Sequence, residues 1–176
     1  SSQLTYSSVA GNTLNNIFER DSKSVAITAA MISGTGLDIL FEKHSKRVID
    51  VGIAEEHAVT LAAGLATSGI KPYFVVYSTF LQRAYDQILH DVALQDLPVT
   101  LLIDRAGLVG EDGETHHGVF DIGFLSTIPN LTIMSPRDLV ELQDMIEFSH
   151  SYNHPLAIRY PRGKAVNLSS HVRDSI

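Results

Sequence analysis

Residues 47–77 read RVIDVGIAEEHAVTLAAGLATSGIKPYFVVY. An apolar β-branched run, Arg47–Val51, gives way after Gly52 to a stretch with helical spacing of Ala, Val and Leu, Ala54–Ser68. A second apolar run follows, Pro72–Tyr77. The change of period from strand-like to helical and back is the signature of a strand–helix–strand unit. Because both strands are nearly continuously apolar, they are expected to lie parallel in a sheet covered on both faces. The same alternation extends in both directions. It predicts further strands at Val25–Ala30, Val99–Ile103, Leu131–Met134 and Ala157–Tyr160, and further helices at Thr5–Arg20, Leu37–His44, Leu81–Gln95 and Pro136–Ser149. Ser135 is read as the N-cap of the last helix, with Pro136 in its first turn. The prediction is an α/β chain, three-layer α/β/α, with a mostly parallel six-stranded sheet, and residues 1–176 are read as one domain.

Composition narrows the partners. The chain has 176 residues, 44% hydrophobic and 19% charged, with a formal charge of -7. Electrostatic binding to nucleic acid needs a basic stripe, which this balance does not supply, so nucleic acid is not expected as a partner. No cysteine is present, so disulfides and thiolate metal sites are excluded, in keeping with a reducing compartment. The longest apolar run, Ala58–Ala66, is interrupted by Thr60 and Gly64 and falls short of the ~20 residues a membrane span requires. The opening Ser1-Ser2-Gln3 does not resemble a signal peptide, and the natural start is expected to lie elsewhere.

Three stretches are candidates for chemistry. In Gly52-Ile53-Ala54-Glu55-Glu56-His57 the carboxylates fall in the first turn of a helix, where the helix dipole favours negative charge whether or not they have another role. In YSTFLQRAYDQ, residues 77–87, two aromatic residues flank small polar ones at the carboxyl end of a strand. That arrangement offers a stacking face and hydroxyl donors for a heterocycle, or else ordinary packing with Thr79 as a cap. The third stretch, Asp104–Asp121, has no periodicity and carries Gly107, Gly110, Gly113 and Gly118 with adjacent His116 and His117. Structureless loops of this length are uncommon in compact domains unless functional, although surface loops are polar in any case. Adjacent histidines cannot easily face one ion, so zinc is not expected. General acid–base use fits histidine better, and Arg105 is placed to hold a phosphate or carboxylate. Ser33-Gly34-Thr35-Gly36 has no P-loop lysine and is read as a turn. His150, His154 and the sequons at Asn130 and Asn167 are assigned no function.

Taken in order, GIAEEHAVTLAAGLA, YSTFLQRAYDQILHDVALQDLPV, DRAGLVGEDGETHHGVFD and RYPRG resemble the central, pyrimidine-binding domain of the 1-deoxy-D-xylulose-5-phosphate synthase family over nearly the whole chain. The first block is shared across transketolase-like enzymes, and the second and third are the more specific. The resemblance implies the thiamine-diphosphate-binding fold and a cytoplasmic bacterial or plastid enzyme that condenses pyruvate with glyceraldehyde 3-phosphate and releases carbon dioxide, the first step of the methylerythritol phosphate route to isoprenoids. It implies that Glu55 is catalytic and hydrogen-bonds the aminopyrimidine nitrogen of thiamine diphosphate, that Phe80 stacks on that ring and that Ile53 borders it. By the same carry-over Tyr77, Arg83, Arg105, Asp112 and Arg162 bind substrate, and His116 transfers a proton during condensation. His117 is left without a role. Glu56 and Glu111 depart from the commonest family pattern, and Glu56 is placed to perturb Glu55.

The family holds the diphosphate and Mg²⁺ through a GDG…N motif in a preceding domain. That motif is absent here, since Asp112-Gly113 has no asparagine at suitable spacing after it. The resemblance therefore implies no metal ligand in this chain, a cofactor site completed by other domains of the same protein, a homodimer at full length, and an inactive domain in isolation that is prone to self-association. Two alternatives remain at this level: another thiamine-diphosphate enzyme, such as a transketolase or the β-subunit of a 2-oxoacid dehydrogenase, and a non-enzymatic α/β binding module.

Overall fold

A computed structural model describes residues 4–164. Six strands form one sheet: β1 (Ser24–Thr28), β2 (Val48–Asp50), β3 (Lys71–Tyr77), β4 (Thr100–Asp104), β5 (Thr132–Met134) and β6 (Leu156–Arg159), in the order β2-β1-β3-β4-β6-β5. Every ladder between them is parallel. The central strands are buried on both sides because their side chains alternate between two apolar layers. Phe74, Val76, Leu101 and Ile103 pack on one face under α3 (Glu55–Thr67) and a helical stretch from Ser78 to Ala93. Tyr73, Val75, Leu102 and Ile158 pack on the other under α1 (Tyr6–Arg20), α2 (Asp38–His44) and α7 (Leu139–Ser151). This is the expected three-layer α/β/α architecture. No helix among the described residues is long and apolar enough to cross a membrane.

Strand bounds agree with the sequence reading to within two residues, but two helices differ. The stretch read as one helix, Leu81–Gln95, is broken into α4 (Ser78–Leu81), a 3₁₀ turn (Gln82–Ala84), α5 (Tyr85–Gln87) and a π-helical segment (Ile88–Ala93). The wider π turn lets Ile88, Val92 and Ala93 all reach the core. Thr79 does not cap this stretch; it lies within α4, and its hydroxyl donates to the Thr115 carbonyl at 3.1 Å. The last helix begins at Leu139, not Pro136. Its cap is Asp138, whose carboxylate accepts from the Glu141 N–H at 2.9 Å, while the Glu141 carboxylate accepts from the Arg137 N–H. That reciprocal pair outcompetes the Ser135-Pro136 start.

The order places a reversal between β1 and β3: the chain goes outward from β1 to β2, then returns to the other side of β1 for β3. In open parallel sheets such a switch point leaves a crevice beyond the carboxyl ends of the strands, where ligands bind. The segments that follow β1, β2, β3, β4 and β6 all meet at this edge.

Candidate active site

Two cavities open there. The smaller, about 240 Å³, is lined by Ala29, Ala30, Met31, Ile53, Glu55, Phe80 and Arg83. Its shape depends on Asp50, whose Oδ1 accepts from the N–H of Ala30 at 2.8 Å and of Gly52 at 2.9 Å. Ala30 holds a left-handed backbone with φ of 61°, a conformation costly for a residue with a Cβ and sustained here by the Asp50 bond. The turn ends with Glu55 as the first residue of α3, only 2% exposed. Its Oε1 accepts from Arg83 Nη1 at 2.9 Å, and its Oε2 is buried with no hydrogen-bond partner among the described residues. A buried acceptor left unmatched costs about 1–3 kcal/mol, more when charged. A carboxylate held by one oxygen in an apolar cavity with the other free is therefore shaped for an N–H donor on a ligand. Phe80 supplies an aromatic wall, with Arg83 5.2 Å from its ring centre, and Ile53 forms a lip that is 80% exposed.

An aromatic bridge joins this cavity to the next. Tyr77 and Phe80 stack with centroids 5.8 Å apart and planes 18° apart, and His116 stands edge-on to Phe80 at 5.5 Å. The guanidinium carbon of Arg105 lies 3.9 Å from the centre of the Tyr77 ring. Burial raises the Tyr77 phenol above its ordinary pKa, and Arg105 opposes that shift. Gly34 makes room for the phenol, since a Cβ at that position would meet the Tyr77 hydroxyl at 1.9 Å.

The larger cavity, about 660 Å³, is lined by the start of α1, the turn at Ser33-Gly34, the loop after β4 and the segment Arg162–Lys164. Arg105 donates from Nη1 to the Gly34 carbonyl at 2.7 Å and from Nε to Asp112 Oδ2 at 3.2 Å. The same Asp112 oxygen lies 3.3 Å from Arg162 Nε, so one carboxylate aligns two arginines. The loop that carries Asp112 contains two 3₁₀ turns, Gly110–Asp112 and Glu114–His116. Gly107 and Gly118 close its neck by exchanging backbone hydrogen bonds of 2.8 Å. Just beyond the loop Arg159 donates to the buried Asp121 at 2.7 and 3.3 Å, a half-buried forked ion pair.

The residues named from sequence thus fall into three touching groups: Ile53, Glu55, Phe80 and Arg83 around the smaller cavity, Tyr77 and His116 at the bridge, and Arg105, Asp112 and Arg162 at the larger cavity. Arg83 was grouped with the substrate residues, but the fold puts it against Glu55. His117 acquires a place: its Nδ1 accepts from the Val109 N–H at 3.1 Å and so ties the loop to itself. Sequence reasoning missed Ser7, Asp50, Asp104 and the Asp121–Arg159 pair, because each depends on at least one bond to a residue distant in sequence that only the fold brings near. Among the described residues no cluster of His, Asp or Glu is placed to hold a metal ion.

Comparison with known proteins decides the family. The model of the transketolase pyrimidine-binding domain matches residues 2–166. The chain belongs to that family. Among curated relatives of this pyrimidine-binding domain, the 1-deoxy-D-xylulose-5-phosphate synthase of Alkaliphilus oremlandii is 63% identical over 167 residues, covering 95% of this chain and 27% of the relative. The protein of the same name from Caldanaerobacter subterraneus is 62% identical over 161 residues, covering 92% of this chain and 26% of its own length. The chain therefore spans about a quarter of the relatives it matches. In structure the domain resembles a Campylobacter jejuni transketolase, with TM-score 0.82 and 20% identity over 94% of this chain and 27% of the other. It also resembles a split-gene transketolase described as an inactive β4 tetramer, with TM-score 0.80 and 22% identity over 92% of this chain and 53% of that one. At such identities the likeness is one of fold.

Proposed function

We propose that this chain is the pyrimidine-binding domain of a bacterial, cytoplasmic 1-deoxy-D-xylulose-5-phosphate synthase, and that the full-length protein condenses pyruvate with glyceraldehyde 3-phosphate and releases carbon dioxide. The observation that carries the reading is Glu55, buried at a helix start with one oxygen held by Arg83 and the other free beside the face of Phe80. Those features fit the aminopyrimidine of thiamine diphosphate, a flat ring with nitrogen atoms at its edge. When bound, thiamine diphosphate supplies an electron sink for decarboxylation and carbon–carbon bond formation. Glu55 would hold a ring nitrogen through a shared proton at Oε2, and Arg83 fixes the plane of the carboxylate for it. Phe80 would bear on the ring face, and Ile53 borders it at the lip.

Arg105 and Arg162 bind the phosphate of the acceptor sugar by charge-assisted hydrogen bonds, kept in register by Asp112. Tyr77 supports the Arg105 guanidinium from below, and His116 moves a proton during condensation, poised between the two cavities. The diphosphate and Mg²⁺ are held by another domain of the same protein, which acts as a homodimer, and the isolated chain is inactive.

The test is steady-state assay of the full-length protein. Carbon dioxide release and a five-carbon ketose phosphate from pyruvate and glyceraldehyde 3-phosphate are expected, whereas a transketolase would move a two-carbon unit without releasing carbon dioxide. Glu55→Gln is expected to lower turnover by roughly 10³-fold with the melting temperature unchanged, and near-normal turnover would refute the role of Glu55. Calorimetry with thiamine diphosphate and Mg²⁺ is expected to show binding by the full-length protein and none by this chain. Tight Mg²⁺-dependent binding by this chain would instead mean that a complete site lies within it.

A further inference from the structure

The Asp104 side chain ends β4 at the base of the larger cavity and is fully buried, yet it touches neither opening. Its Oδ1 accepts from the backbone N–H of Arg105 at 2.7 Å and lies 3.3 Å from Arg105 Nη1. Its Oδ2 accepts from the Ser7 hydroxyl on α1 at 2.6 Å. Arg105 itself holds a left-handed backbone, with φ of 58°. That conformation is unfavourable for a long side chain and persists only where its surroundings fix it. Without it the chain would leave β4 in the direction of the strand and Arg105 would not fold back over Tyr77 and Gly34.

Burying a carboxylate is costly unless hydrogen bonds and an opposite charge match its oxygens. Here both oxygens are spent on one residue and on the helix that borders the cavity. We propose that Asp104 is a positioning residue for substrate binding: clamped by Ser7, it locks the left-handed turn at Arg105 and thereby aims that guanidinium into the larger cavity, where it meets the acceptor phosphate. The inference rests on the substrate role given to Arg105 above. It makes α1, more than ninety residues away in sequence, part of the acceptor site. The groups facing the carboxylate are the Ser7 hydroxyl, Arg105, and the Tyr77 and Tyr160 phenols, whose pKa values are raised by burial first and by the Asp104 charge in addition. Burial, opposed by Ser7 and Arg105, leaves its own pKa at about 6.

The experiment compares full-length wild type with Asp104→Asn and Ser7→Ala, using glyceraldehyde 3-phosphate and, as a second acceptor, unphosphorylated glyceraldehyde. Asp104→Asn is expected to raise KM for the phosphorylated acceptor roughly tenfold, with kcat within about threefold of wild type and little change for the unphosphorylated one. Ser7→Ala, which leaves the carboxylate in place, is expected to do the same to a smaller extent. Because the acceptor's own phosphate takes up a proton near pH 6, the ratio of the Asp104→Asn KM to the wild-type KM is the readout, and it is expected to fall toward one as pH falls through about 6. If both variants keep the wild-type KM, or lose only kcat or soluble protein, the proposal is overturned. Should Asp104→Asn fail to fold, Ser7→Ala decides alone: a raised KM supports the clamp and an unchanged KM refutes it. A wild-type protein that forms no product from these substrates would instead refute the function proposed above, a result distinguishable from failure of the clamp.

Discussion

The two cavities are built by different physics. Around Glu55 the walls are the ends of regular elements, β1, α3 and α4, and the lining is apolar apart from the Glu55–Arg83 ion pair, with the Asp50 carboxylate holding the turns behind it. Around Arg105 the walls are a glycine-necked loop and a turn, and the contacts are charges: Arg105 and Arg162 on Asp112, with Asp104 beneath. A site framed by regular elements places one group rigidly, so losing that group is expected to be all-or-none. A site framed by paired charges on a loop distributes its precision over several bonds, so each loss is graded.

The sharpest way to break this comparison is at the charge centres. Glu55→Gln in the full-length protein keeps the shape of the smaller cavity and removes the shared proton, and turnover is expected to fall by roughly 10³-fold with no loss of thermal stability. Asp112→Asn removes the anion between two arginines and is expected to lower kcat/KM for the phosphorylated acceptor by about 10- to 100-fold, measured at saturating pyruvate. An Asp112→Asn effect as large as that of Glu55→Gln would mean that the loop is as indispensable as the helix start, and the contrast would fail.

These regions also differ in how far the sequence disclosed them. The strands were legible because burial on both faces makes them almost wholly apolar, as in Lys71–Tyr77. The start of α3 was legible because Gly52 and the acidic first turn are local signals. The π-helical segment Ile88–Ala93 was not, since its cause is the need to bury Ile88, Val92 and Ala93 together, a demand set by the sheet beneath. The true start of α7 was hidden by two competing caps within four residues. In the larger cavity Arg105 was legible from the loop itself as a residue to hold an anion, Asp112 and Arg162 came from family resemblance, and residue pattern alone gave no pairing. Ser7 and Asp104 are separated by 97 positions, and neither residue type nor spacing hints at their bond.

Glycines sharpen the comparison further. A Cβ at Gly118 would meet the Arg105 carbonyl oxygen at 2.4 Å and the Ser78 Cβ at 2.5 Å, whereas one at Gly123, in α6 (Asp121–Leu125), would meet nothing within 4 Å. Gly118→Ala is therefore expected to destabilise the chain by about 1–3 kcal/mol and to disturb the loop neck. Gly123→Ala is expected to be neutral or stabilising by up to about 1 kcal/mol. Urea denaturation of both variants checks the pair. Equal midpoints would mean that the loop moves aside freely and that the close approach of Gly118 to Arg105 and Ser78 does not hold it.

The smallest effect concerns pH and belongs to the larger cavity. Burial pushes the Asp104 carboxyl up from 3.8 to about 6, against the pull of Ser7 and Arg105. Between those values the folded chain holds a proton that the unfolded chain releases. The resulting contribution to stability is fully present below 3.8 and is lost as pH rises through about 6. Each unit of displacement corresponds to about 1.4 kcal/mol, and other groups add slopes of their own, so wild type alone would not isolate it. Asp104→Asn cannot titrate at this position. The stability of wild type relative to the variant is expected to decline between about pH 4 and pH 6.5 and to level off above, measured by urea denaturation across that range. A flat difference would mean that Asp104 stays ionised throughout because Ser7 and Arg105 outweigh its burial. Its charge would then be matched as fully as that of the Glu55 oxygen on Arg83, and the contrast in electrostatic strain between the two cavities would disappear.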